Sequence, residues 1–421
     1  MTSSPSRVPV REGNTDHVRL SARGNGAPGA NGRALLTFVS SLVLVETVFF
    51  TALTPLLPHY VHSLGLSKTG AGVLVAAYPF GTLVGALPGG VLVTRLGVRR
   101  AVVLGLFLMS GATFVFGFAN SIVLLDSARL AQGLGGACIW SGGMAWLAAG
   151  TPPDRRGRAI GVALGVSVAG ALVGPLLGAL ASGVGTAPAF ALATFAGLCL
   201  ALASFRVATP LDAASQKLMS AARALRDPGI TGGMWLTFLA GLSFGAVDVL
   251  TPLRLNALGA SAVVIAGAFL GAAGLEAVLA PMVGRLADKR GRLAPVKVSL
   301  VAAVVVSVLL PVLHPLGVLV ALVVVGLPSY GTLFVPASAM ISDGADRQSL
   351  HHGLGFGLAN LAWASGQAVA AASSGAIAQA VGDTLPYLLL ALALAVTFLA
   401  VRPQIRRLLA PLRPELGRPG A

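Results

Sequence analysis

Apolar positions in this chain come in long blocks rather than in a short alternation. Runs rich in Leu, Val, Ala, Phe and Gly occupy residues 34–58, 70–93, 100–119, 121–148, 157–181, 186–206, 230–253, 261–283, 295–314, 316–341, 351–381 and 383–401. Each is near or above the ~20 residues a helix needs to cross a bilayer. Gaps as short as Pro152–Arg156 and Asp343–Leu350 separate them. Twelve membrane helices are expected, an even number that places both termini on one side. Residues 1–33 hold no apolar run, so no signal peptide is expected there and the arm reads as a disordered basic segment.

Composition agrees with a lipid solvent. The 421 residues are 55% hydrophobic and 10% charged, against about 25% charged in soluble domains. A soluble chain of this length cannot hide that much apolar surface. A soluble enzyme, a disordered chain and a disulfide scaffold are thereby excluded. The 54 glycines and 25 prolines fit helices that approach closely and tolerate kinks. Cys138 and Cys199 lie in apolar runs and offer neither a zinc spacing nor a disulfide framework.

The net charge of +15 would suggest nucleic acid if it were evenly spread. It is not. Of the 29 Lys and Arg, Lys68 and Arg254 fall on the side opposite the termini and Arg129 falls within a span; the remaining 26 lie on the terminal side. That bias places both termini in the cytoplasm. The basic face then meets anionic headgroups, and no nucleic-acid partner is expected.

The chain repeats itself. Leu53-Thr54-Pro55-Leu56 near the end of the first run recurs as Leu250-Thr251-Pro252-Leu253 near the end of the seventh. Gly90 to Gly97 after the second run matches Gly284 to Gly291 after the eighth. Gly157 and Gly161 match Gly353 and Gly357. One nearly constant offset, with six runs per repeat, means that the halves share an orientation. The expected organisation is an arm at 1–33, a first half at 34–206, a cytoplasmic linker at 207–229, a second half at 230–402 and a tail at 403–421. In the linker, Leu218, Ala221, Ala222 and Leu225 fit one helical face, either an interfacial helix or an ordinary connection.

Three motifs carry a family resemblance. Gly284-x-Leu286-Ala287-Asp288-Lys289-Arg290-Gly291-Arg292 resembles the cytoplasmic signature loop of the major facilitator superfamily, and its counterpart runs from Gly90 through Arg95 and Gly97 to Arg99. A carboxylate beside guanidinium groups can form a latch that is made in one conformation and broken in another. The alternative is a set of simple cytoplasmic anchors. Thr94 stands where the family has an acid, so the first loop cannot latch as an ion pair. Arg129-Leu130-Ala131-Gln132-Gly133-Leu134-Gly135 resembles the family's motif in the fourth span. An Arg in an apolar helix is costly and faces a cavity or a partner. Asp126, three residues earlier, is a natural partner. Arg129 either takes part in proton coupling or is a static paired charge. Gly170, Gly174, Pro175 and Gly178 resemble the fifth-span motif of the family's antiporters, and otherwise form a close-packing face.

Composition and periodicity alone yield a duplicated polytopic membrane protein. The resemblance, which covers roughly residues 34–402, implies an all-α protein of 12 transmembrane helices in two six-helix bundles related by a parallel internal repeat. It also implies a central site, alternating access, and kinship with the drug and amine exporters.

Four acids lie in spans. Glu46 sits about 12 residues into the first run, near the midplane. An ionised carboxylate there is expensive, which suits a group that alternates between a proton and a cationic substrate; a neutral acid in a structural hydrogen bond is the other reading. Asp248 lies farther toward the outer face, as a functional or a rim residue. Glu276 either takes part or pairs with loop arginines. Asp126 is the fourth. Asn360, Trp363 and Gln367 share a helical face that can line a cavity, and Trp140 and Tyr330 are further lining candidates.

Gly353-Leu354-Gly355-Phe356-Gly357 has no preceding strand, so it is not a dinucleotide loop. No P-loop, metal cluster or nucleophile constellation is found. The expected protein is therefore not an enzyme and needs no cofactor. It is a monomeric, multi-pass inner-membrane transporter that uses a proton gradient on a small molecule. Export of amphipathic or cationic compounds is favoured over import of a sugar or organic acid.

Overall fold

The computed structural model describes residues 30–209, 223–348 and 352–409. Most of the expected arm, linker and tail lies outside the described residues. Everything regular is helical. The helices are α1 (Ala30–Thr51), α2 (Leu57–Leu64), α3 (Lys68–Leu96), α4 (Val98–Phe118), α5 (Ile122–Ala149), α6 (Pro153–Val184) and α7 (Thr186–Ala203) in the first half. The second half holds α8 (Pro228–Ala257), α9 (Ala262–Arg290), α10 (Leu293–Leu309), α11 (Leu316–Gly326), α12 (Pro328–Gly331), α13 (Phe334–Arg347), α14 (His352–Val381) and α15 (Thr384–Leu409). Helices satisfy their own backbone groups, which lipid cannot do. The chain is an all-α polytopic membrane protein.

All twelve apolar runs are helical, but only ten of the described helical segments are long and apolar enough to cross a membrane on those grounds alone. α10 has 17 residues, short of the ~20 that span a bilayer. α14 is long enough at 30 residues, but Asn360, Ser365, Gln367, Ser373 and Ser374 dilute its apolar character. Two spans are interrupted: α1 and α2 are joined through a 3-10 turn at Thr54–Leu56, and α11, α12 and α13 follow one another through short breaks.

The repeat is written into the backbone. Six of the described glycines adopt positive φ: Gly65, Gly97, Gly185, Gly259, Gly291 and Gly382. They form three pairs, Gly65 with Gly259, Gly97 with Gly291 and Gly185 with Gly382, at the offset of the sequence repeat. Gly97 (φ 84°, ψ 160°) and Gly291 (φ 83°, ψ 155°) are nearly superimposable. Each closes a helix with a turn that a side chain would strain. Serine caps repeat as well. Ser67 accepts from the Gly70 N–H at 3.1 Å, and Ser261 accepts from the Val264 N–H at 3.4 Å.

Glycines also set the packing. α5 presses on α3 where a Cβ at Gly133 or Gly81 would strike the carbonyls of Tyr78 or Leu130. α14 meets α8 in the same way at Gly241 and Gly366. The two halves join at the end remote from the termini. There Lys68 forms an ion pair with Asp383, the Lys68 N–H donates to Gln379 Oε1 at 3.0 Å, and His62 Nε2 lies 3.0 Å from Asn256 Oδ1. Gly72 of α3 and Gly375 of α14 abut, backbone to backbone. Toward the terminal end, Gly90, Gly161, Gly165 and Gly357 have nothing within 4 Å of a would-be Cβ. The polar and backbone-to-backbone contacts named between the halves lie at the remote end, and Gly274 of α9 meets Leu172 of α6 nearer mid-helix.

Candidate functional site

The site begins at the interruption of the first span. α1 stops at Thr51, and a turn leads to the 3-10 segment that contains Pro55. Carbonyls in the last turn of α1 lose their helical partners and carry the negative end of its dipole. Arg129 of α5 supplies donors. Its Nη1 donates to the Phe49 carbonyl at 3.2 Å and to Gln132 Oε1 at 3.0 Å, and its Nη2 donates to the Phe50 carbonyl at 3.2 Å. The guanidinium lies 4.8 Å from the Tyr78 ring centroid, within cation–π range. Arg129 is 2% exposed. Gln132 in turn donates to Thr113 Oγ1 at 3.0 Å.

The same proline motif behaves differently in the second half. Pro252 lies inside the continuous α8, whereas Pro55 stands in the break. The residues one repeat beyond Arg129, Val323 to Gly326, carry no donor side chain. Without an arginine to satisfy freed carbonyls, breaking the helix would leave them orphaned in a dry interior.

Glu46 stands one turn before the Arg129-bound carbonyls and is 6% exposed. The Tyr78 hydroxyl donates to its Oε1. The Thr47 hydroxyl lies 3.3 Å from Oε2, and Trp140 neighbours this carboxyl. Gly136 makes room: a Cβ there would come 2.7 Å from the Tyr78 hydroxyl and 3.2 Å from Glu46 Oε1.

Across the junction, α8 presents Asp248. Gln367 Nε2 of α14 donates to its Oδ2 at 3.2 Å, and Trp363 Nε1 donates to Gln367 Oε1 at 3.2 Å. Phe244 and Phe334 pack on Trp363 at 5.4 and 5.9 Å between centroids. Phe50, Thr51, Leu53, Thr54, Val75, Arg129 and Asp248 line a cavity of ≈ 20 Å³. That is room for about one water, between Arg129 and Asp248.

Other expected residues are placed as follows. Asp126 does not pair with Arg129, whose bonds go to α1 and Gln132; the Asp126 Oδ1 is buried with no hydrogen-bond partner, in the second turn of α5. The i−3 spacing puts both residues on one face, but the open carbonyls of α1 are the better acceptors for a planar fork. The Glu276 carboxyl rests against Gly331, in the interrupted span, rather than on a loop arginine. Tyr330 is fully buried, with its hydroxyl 2.8 Å from Ser307 Oγ and its ring edge-on to Phe244. Asn360 is half-buried on α14.

The fifth-span motif packs on the first span. A Cβ at Gly170 would meet the Leu44 carbonyl, one at Gly174 would strike Thr51, and one at Gly178 would strike the Ala52 carbonyl and Pro55. Pro175 lies within the same helix. The motif therefore seats α1 and its break.

In the signature loops, the Thr94 hydroxyl is taken up by the Val91 carbonyl at 2.9 Å. Arg95 is exposed. Arg99 donates to the Val207 carbonyl at 2.6 Å and lies over Trp146. Arg292 grips Asp343 of α13 through Nε at 3.2 Å and Nη2 at 3.4 Å. Gly284 packs loosely near Val335, and Lys289 and Arg290 are exposed. The Asp288 side chain lies outside the described residues.

Sequence reasoning missed Tyr78, Asp343 and Asp227. Asp227 caps α8, accepting the Gly229 and Ile230 N–H groups at 2.8 and 3.1 Å, and Arg347 grips it bidentately at 2.8 and 3.1 Å. Arg347 and these N–H groups hold its carboxyl down at about 2. Asp-Pro-Gly ahead of an apolar run is a legible helix start. A tyrosine buried in an apolar run needs a partner for its hydroxyl, which was the available signal for Tyr78.

Comparisons with known proteins follow the same lines. The chain is 28% identical over 107 residues to quinolone resistance protein NorA of Staphylococcus aureus, covering 25% of this chain and 28% of that protein. It is 31% identical over 135 residues to multidrug resistance protein Stp of Mycobacterium tuberculosis, covering 31% and 25%. It is 30% identical over 145 residues to probable vesicular acetylcholine transporter-B of Danio rerio, covering 32% and 29%. The matches thus span between a quarter and a third of those relatives' lengths. The profile of the Major Facilitator Superfamily matches residues 39–371. With that match over most of its length, the chain belongs to the Major Facilitator Superfamily and is a multi-pass membrane transporter, not an enzyme.

Proposed function

We propose that this transporter exports small amphipathic or cationic molecules in exchange for protons, as a monomer in the cell inner membrane with both termini cytoplasmic. The observation that carries the reading is a pair of carboxyls near Arg129 at the junction of the halves, the buried Glu46 in the first half and the half-buried Asp248 in the second. A carboxyl that gives up its proton gains a charge that can hold a cation, and regains the proton when the cation leaves. One group thus couples two opposed flows without a bound cofactor. The aromatic cluster of Phe244, Phe334 and Trp363 beside Asp248 offers faces for an apolar cation.

Closure at the remote end, through Lys68 with Asp383 and Gly72 against Gly375, fits the cytoplasm-facing stage of an alternating cycle. Arg292 on Asp343 serves as a latch within the second half, and Gly284, Asp288 and Gly291 belong to the same loop. The names of two relatives, a quinolone resistance protein and a multidrug resistance protein, support export.

The test is proton flux in proteoliposomes that hold a pH-sensitive dye and an acidic lumen. Lipophilic cations, sugars and organic acids are added in turn. Alkalinisation of the lumen by a cation is expected, and it should vanish in Glu46→Gln while membrane insertion is retained. Acidification coupled to uptake of a sugar or acid would overturn export in favour of symport.

A further inference from the structure

We propose that Tyr78 is the positioning residue that relays the protonation state of Glu46 to Arg129 and the end of α1. The inference rests on the proton-coupling reading above. One side chain touches both groups at once: its hydroxyl donates to the Glu46 carboxyl, and its ring face lies under the Arg129 guanidinium at 4.8 Å. The ring is also tilted against Phe50 at 5.0 Å, one of the two residues whose carbonyls Arg129 holds. Glu46, Tyr78, Arg129 and the Phe49–Phe50 backbone therefore close a loop that starts and ends on α1.

An ionised carboxylate holds the phenol by a charge-assisted bond, and a protonated acid holds it by a weaker neutral one. The phenol is a rigid plane, so a change at its hydroxyl is felt at its face. Tyr78 of α3 and Arg129 of α5 face Glu46, Asp248 of α8 faces Arg129 across the cavity, and Tyr60 of α2 lies near the same guanidinium. α6 and α7 meet α1 through Gly170, Gly174, Gly178 and Gly197. Gly136 of α5 leaves the space in which hydroxyl and carboxyl meet.

Trp140 neighbours the same carboxyl and supplies a readout that needs no substrate. Its fluorescence is titrated from pH 4 to pH 10 in the full-length protein in nanodiscs, with Trp140→Phe subtracting the other three tryptophans. A titration step is expected in the wild type and should be absent in Glu46→Gln. Tyr78→Phe keeps the ring and removes the donor. It should displace the midpoint by about one to two pH units, the equivalent of one hydrogen bond to a charged group. Arg129→Lys should displace the midpoint in the wild-type background and add nothing in a Tyr78→Leu background, which lacks the shared ring.

An unchanged midpoint in Tyr78→Phe, or full additivity of Arg129→Lys with Tyr78→Leu, overturns the relay alone. A step that persists in Glu46→Gln, or no step in the wild type, overturns proton exchange at Glu46 and the relay with it.

Discussion

A single methyl group at Gly72 tests whether the contact between α3 and α14 decides which end of the protein is shut. An alanine Cβ there would come 2.6 Å from the Ala371 carbonyl oxygen and 3.1 Å from the Gly375 Cα. Both are backbone atoms and cannot rotate aside. Overpacking of this kind costs about 1–3 kcal/mol, and only while the remote end is closed. The closed population should therefore fall roughly 5- to 150-fold relative to the alternative. The assay is a distance measurement by double electron–electron resonance in liposomes. Spin labels are placed at Ser63 and Thr384, both exposed at the remote end, with Cys138 and Cys199 replaced by serine. Gly72→Ala should populate longer distances. Gly357→Ala is the control, because its Cβ meets nothing within 4 Å, and it should stay short. A wild-type distribution in Gly72→Ala refutes the contact as a closing surface. Equal lengthening in both variants refutes it too, since crowding exists at only one of the two sites.

Two further outcomes follow from the cap and the arginine. Asp227→Ala should lose about 0.5–2 kcal/mol of stability near neutral pH, as N-cap removal does. Because the folded carboxyl is held down at about 2, below the unfolded value of ~3.9, its contribution is complete above pH ~4 and fades as pH falls toward 2. Thermal unfolding in detergent should show the gap to wild type closing over that window, and a constant gap would contradict it. Arg129→Lys keeps the charge but loses the planar fork and face. Cation-driven proton flux should drop about tenfold to a hundredfold at equal expression, the worth of one charged hydrogen bond; a wild-type rate would mean that charge alone suffices.

Much of the architecture was legible because lipid makes a blunt demand. Long apolar runs must be helices, and the Leu-Thr-Pro-Leu duplication marked the repeat that the glycine pairs then display. The limits are physical as well. α10 is short and α14 is diluted with amides and hydroxyls, so a count of twelve exceeds what length and hydropathy alone support. Glu46, Arg129, Asp248, Trp363 and Gln367 could be read as intramembrane polar groups, and all stand at or beside the central cavity. Their partners could not. Arg129 to Phe49 spans 80 positions and Lys68 to Asp383 spans 315. Spacing rules reach only one turn along a helix, which is why Asp126 looked like the natural mate for Arg129. Tyr78 sat in no motif, and only the fold brings it under the guanidinium.

The unequal fate of the two proline motifs has a mechanical consequence. α8 runs through Pro252 as one rod, whereas the first span is two rods with a joint between residues 51 and 57. α2 has 8 residues, a lever arm of about 12 Å. A 10° swing at the joint would carry its tip roughly 2 Å at that arm length, comparable to the slack in a side-chain hydrogen bond such as His62 to Asn256. The fulcrum is held by Arg129. The first and seventh spans are alike in descent but not in stiffness, and the compliant one carries its bearing beside Glu46.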